Sequence, residues 1–93
     1  MAKKYKTKAI TVEAIQFTGV NFEEILDFCK EKASFEHQYK LTLGGLEPYK
    51  VVKLEAPGYY FYVQPGDMIV KIFEGTFRPY KLEMFNQLFR EIN

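Results

Sequence analysis

Few side chains in this 93-residue chain could do chemistry: one histidine, His37, one cysteine, Cys29, and isolated carboxylates such as Asp67 and Glu74. A thiol nucleophile needs a base beside it and a third group to orient that base, and no Asn or Asp is placed by spacing to hold His37 against Cys29. The chain reads as non-enzymatic. One Cys and one His form no pair at zinc-ligand spacing, and Gly44-Gly45 lacks the Lys-Ser/Thr that follows a phosphate-cradling loop. No metal or cofactor is expected.

The aromatic stretch 59–63 offers more to a partner. On a strand, Tyr59, Phe61 and Val63 point one way while Tyr60 and Tyr62 point the other, so one set enters the core and the other stands on the second face. Exposed tyrosines suit protein interfaces and also stack on nucleobases, with Arg78, Lys71 or Lys53 as phosphate partner. Against this stands two-sided packing under the helices, or a homodimer seam. Phe77 and Tyr80 bracket Arg78-Pro79 with the same alternatives open. The candidate partner-binding residues are Tyr60, Tyr62, Lys71, Arg78 and Tyr80.

The elements that must position them are organised around Pro65-Gly66-Asp67. Proline presets its φ, glycine tolerates positive φ, and the aspartate can accept hydrogen bonds from nearby amides, so a turn forms and a strand leaves it. Met68, Val70 and Ile72 share one face of that strand, with Ile69, Lys71 and Phe73 on the other. Glu74-Gly75 then reverses the chain.

Upstream, residues 9–17 read as a strand whose apolar parity shifts from Ile10, Val12 and Ala14 to Ile15 and Phe17, through a bulge or two-sided burial. A helix follows. Asn21 is its expected cap, with Glu24 completing a capping box and Val20 stapling onto Ile25. Phe22, Ile25, Leu26 and Cys29 recur at helical spacing, which makes Cys29 a core residue before a reactive thiol.

In residues 33–40 apolar and polar positions alternate as on a half-buried strand. Gly44-Gly45 and Glu47-Pro48 read as a flexible connection; residues 49–56 and 59–63 then form a hairpin about Pro57-Gly58. Pro79 closes the last strand. Leu82, Phe85, Leu88, Phe89 and Ile92 predict a final helix that docks an apolar stripe on the sheet, so truncation after Tyr80 should leave an unfolded or aggregating chain.

The result is one α+β domain over residues 9–93: a twisted, mostly antiparallel sheet of about five strands with two helices, in the order β-α-β-β-β-β-β-α, with barrel-like closure as an alternative. Residues 1–8, with four lysines, form a flexible basic arm. Thirteen basic against twelve acidic residues argue against both direct nucleic-acid binding and acidic DNA mimicry. A single cysteine, no signal-peptide layout and no run of roughly 20 apolar residues point to a reduced, cytoplasmic protein rather than a membrane one.

The chain resembles a family of small phage and prophage accessory proteins of largely unassigned activity. The resemblance rests on the lysine-rich start, on Thr11-Val12-Glu13-Ala14-Ile15-Gln16-Phe17-Thr18-Gly19, on Pro65-Gly66-Asp67-Met68-Ile69-Val70-Lys71 with Glu74-Gly75-Thr76-Phe77, and on Tyr80-Lys81-Leu82-Glu83-Met84-Phe85. It does not cover residues 31–58. Where this chain has Tyr80-Lys81-Leu82, relatives often carry Cys-Lys-Pro, so no role of that cysteine transfers. The resemblance implies a phage accessory gene product with no established catalytic residues. Small phage proteins without catalytic equipment often act by binding, so the leading expectation is a non-enzymatic protein in the host bacterial cytoplasm that blocks a host antiviral defence protein, such as a CRISPR effector. Two alternatives stay open: an oligomeric sponge for a cyclic nucleotide or related signalling molecule, and a structural or assembly protein of the phage particle.

Overall fold

In the computed structural model, which describes Lys3 and residues 12–90, the elements run β1 (Glu13–Gln16), α1 (Phe22–Cys29), a 3₁₀ turn (Lys30–Lys32), β2 (Ala33–Thr42), β3 (Gly45–Ala56), β4 (Tyr59–Val63), β5 (Met68–Phe73), β6 (Thr76–Tyr80) and α2 (Leu82–Leu88). The expected α+β order is the observed one. Instead of one sheet of about five strands, however, six antiparallel strands form two three-stranded sheets, β1-β5-β6 and β2-β3-β4. The segment 64–67 carries the chain from one sheet to the other, and β1 pairs with β5 rather than with β4.

The turn at Pro65-Gly66-Asp67 makes that crossing rigid. Gly66 takes φ +99°, which a residue with a Cβ adopts only under strain. Its N–H donates to the Phe17 carbonyl at 2.6 Å, and the Phe17 N–H donates to the Asp67 carbonyl at 2.9 Å. The Asp67 carboxylate accepts from the Gln64 N–H at 2.9 Å, as expected of an aspartate in a turn, and from Lys81 Nζ at 3.2 Å to each oxygen. Asp67 is the one buried polar side chain among the described residues. Its burial is offset by those bonds.

Both sheets and α1 contribute to one core, in which Phe17, Ile25, Cys29, Leu54, Val63 and Ile69 are fully buried. Each such aliphatic or aromatic side chain contributes about 1.5–3 kcal/mol by leaving water. The inward face of α1 differs from the expected one. Leu26 is exposed, while Phe28 packs edge-on against Phe77 at 5.5 Å between ring centres. Nor does Asn21 cap the helix. Its Oδ1 accepts from the Thr18 N–H and hydroxyl, and its Nδ2 donates to the Gln16 carbonyl at 2.8 Å, so the side chain pins the loop back to β1. Val20 is exposed, and no staple onto Ile25 forms.

Two further expectations need correction. The stretch Gly45 to Pro48 is strand, not flexible connection: β3 begins at Gly45 and pairs with β2 throughout. Pro48 is tolerated because β4 pairs only with residues 52–56, which leaves the proline on a stretch with one neighbouring strand. The final helix does not dock its stripe. No residue of α2 is buried, Leu82, Met84 and Leu88 are exposed, and Phe89 has left helical geometry. The β1 residues Ala14 and Glu13 are exposed, with Ile15 and Phe17 turned inward; Ile10, Ile92 and most of the basic arm lie outside the described residues.

Candidate functional site

Alternation along β4 places Phe61 and Val63 toward the core and leaves Tyr60 and Tyr62 on the outer face of the β2-β3-β4 sheet, 51% and 40% exposed. Register brings them partners from both neighbouring strands. Tyr62 lies opposite Lys53, Tyr60 opposite Glu55, and Lys53 opposite Ser34. The two rings meet edge to face at 5.3 Å between centres, the arrangement that suits the aromatic quadrupole.

Charged groups lock this pair in place. The Tyr62 hydroxyl donates to Glu36 Oε2 at 2.8 Å, reaching from β4 to β2 across β3. Lys53 Nζ sits 4.3 Å from the centre of the Tyr60 ring and 3.4 Å from Glu36 Oε1, so one ammonium serves a cation–π contact and an ion pair. The hydrogen bond to Glu36 pushes the Tyr62 phenol up to about 12 from its usual 10.0. The same bond, with the Lys53 ammonium beside it, holds the Glu36 carboxyl below its usual range. The phenol thus stays neutral and the carboxylate charged at physiological pH.

A polar ladder extends the face. Tyr49 hydroxyl and Gln64 Nε2 both donate to Gln38 Oε1 at 3.1 Å. Every buried side-chain nitrogen and oxygen among the described residues has a partner. The bonds from Tyr62 to Glu36 and from Tyr49 and Gln64 to Gln38 hold the side chains of this face together across three strands.

The other sequence-predicted site residues lie in the first sheet. Lys71 pairs with Glu74 at 3.1 Å and borders a shallow cavity of about 270 Å³ with Phe28, Cys29, Lys30, Lys32 and Phe77. Arg78 is exposed opposite Val70 on the edge strand β6. Tyr80 is half-buried, its ring edge-on to Phe89 at 5.6 Å. Among the described residues no hydrogen bond, ion pair or ring contact joins these three to Tyr60 or Tyr62; Lys53 and Glu36 are the charges held there instead.

Glu36 was invisible as a site residue in the sequence. Its position in the alternation of β2 marks it as outward-facing, but its pairing with Tyr62 depends on the register of three strands. His37 is exposed on β2, whereas Cys29 is fully buried, and burial pushes its thiol up to about 12. Among the described residues no three His, Cys, Asp or Glu side chains converge as a metal site, and no helix is long and apolar enough to cross a membrane. Comparison of the chain with protein-family models, curated proteins and solved structures finds no match.

Proposed function

We propose that this protein is a phage accessory binding module that acts without catalysis, seating a host antiviral defence protein on the outer face of the β2-β3-β4 sheet. The observation that carries the binding reading is the exposed Tyr60–Tyr62 pair, braced by Lys53 and Glu36. Two rigid aromatic anchors beside one cation and one anion form the kind of cluster that supplies most of the energy at protein interfaces. The phage context rests on the resemblance of both ends of the chain, and the choice of a defence protein as target follows from that context.

The test is affinity capture from a lysate of the bacterial host, followed by assay of the captured protein's activity with the phage protein added. Recovery of one host defence protein, and its inhibition, is the expected result. Recovery of nothing but the bait itself counts against the reading. A thermal shift against a panel of cyclic nucleotides separates the sponge alternative, because a ligand bound only by the native state raises Tm through RT ln(1 + [L]/Kd).

A further inference from the structure

Two apolar surfaces have no partner among the described residues. Beyond the core, β2 and β3 continue as a two-stranded arm that ends at Leu43-Gly44, and β4 stops short of covering it. On one face of the arm Leu41 lies opposite Leu46 and Tyr39 opposite Pro48, and Leu41 is 81% exposed. The same face carries Phe35 and Val52 toward the core further along the strands, with the exposed pair His37 and Lys50 between them and the apolar tip. The second surface is α2, with Leu82, Met84 and Leu88 exposed.

We propose that these surfaces are the two halves of one interface, and that a second copy of this chain occupies it, the arm of each copy lying across α2 of the other. A two-stranded hairpin and a helix of seven residues are each marginal in water without cover. One reciprocal contact covers both. Each copy carries both halves, and the reciprocal pairing proposed here closes two copies about a two-fold axis, whereas a one-way arm-to-helix contact would propagate head to tail.

The areas agree with this. At about 60–120 Å² for a full aliphatic or aromatic side chain, the exposed fractions of Tyr39, Leu41, Leu46, Leu82, Met84 and Leu88 offer about 220–440 Å² per copy, the upper end of which reaches the apolar share of a standard interface. A standard interface buries about 800 Å² per partner, somewhat over half of it apolar. Tyr60 and Tyr62 lie on the opposite face of the same sheet, so this dimer leaves them free and does not depend on their having a partner.

Analytical ultracentrifugation of the full chain across the micromolar range tests the proposal. A dimer is expected, and Leu41→Glu or Leu88→Glu should each weaken self-association at least tenfold while leaving the melting transition cooperative. A chain that stays monomeric throughout overturns the proposal. The pairing is read by oxidising an equimolar mixture of Leu41→Cys and Leu88→Cys chains, which should give a mixed disulfide dimer that neither variant forms alone. Cross-linking of Leu41→Cys only to itself overturns the arm-to-helix arrangement.

Discussion

Tyr62 donates its phenolic hydrogen to Glu36 Oε2 at 2.8 Å, linking β4 to β2 over the top of β3. The bond orients an exposed ring without burying it. It stabilises the neutral phenol and the charged carboxylate together, and this gives it a signature in solution. Tyr62 should ionise late in a spectrophotometric titration, near pH 12. Because its folded pKa is raised, the bond's support is full below pH 10.0 and fades as pH rises toward 12. Glu36 is shifted down, so its share is present above the ordinary carboxylate range and is lost as pH falls below it. Replacing Glu36 by Gln should bring the Tyr62 midpoint down toward its usual 10.0; an unchanged titration would mean that the bond does not persist in solution.

Core and surface residues of the same sheet should separate cleanly in denaturant. Leu54→Ala removes a fully buried side chain and is expected to cost about 2–5 kcal/mol. Tyr60→Ala, on the outer face, should cost about 1 kcal/mol or less. Equal losses would place the tyrosine ring in the core.

Asp67 and Lys81 form an asymmetric pair, one buried and one exposed. Asp67→Ala leaves the Gln64 N–H without its acceptor and should destabilise by about 1–3 kcal/mol. Lys81→Ala removes an exposed cation, worth about 0–1 kcal/mol. Urea unfolding of the two variants measures the difference directly.

The Cys29 thiol should resist a maleimide or aromatic disulfide reagent in the native protein and react at the rate of a free thiol once urea unfolds it. Full burial and a pKa near 12 both suppress the thiolate. Rapid labelling without denaturant would show that α1 opens locally.

A chain ending at Tyr80 should remain folded, contrary to what the spacing of Leu82, Phe85 and Leu88 suggests. The deleted helix buries nothing among the described residues and gives up chiefly the Lys81 contact and the Tyr80–Phe89 packing. Circular dichroism should record a cooperative melt at a modestly lower temperature. Loss of the transition would mean that α2 supports the core.

These contrasts mark where local sequence carries the structure and where it does not. Residues 59–63 declare β4 by their own composition and alternation, and Pro57-Gly58 and Glu74-Gly75 declare the hairpins on either side. The division into two sheets depends on β1 meeting β5, residues more than fifty positions apart in register, and no local period encodes it. On α1, spacing alone allows Leu26 or Phe28 to face inward, since both lie three or four residues from a buried neighbour. Contact with Phe77 decides for Phe28. Apolar spacing also marked α2 as amphipathic, but could not say whether its apolar side meets its own sheet. Alternation alone put Tyr60 and Tyr62 on a common face without saying which face is outward, and Glu36 entered only through cross-strand register.

The proposed binding face is tested most directly by measuring the affinity of any captured host protein for the wild-type chain and for Tyr60→Ala and Tyr62→Ala, with a thermal melt of each variant. Anchor residues of this kind contribute about 2 kcal/mol or more, roughly a thirtyfold loss of affinity on truncation. A weakening of that order in both variants, with their melting transitions preserved, is the predicted result. Undiminished affinity in well-folded variants would contradict the account and move the contact surface elsewhere on the molecule.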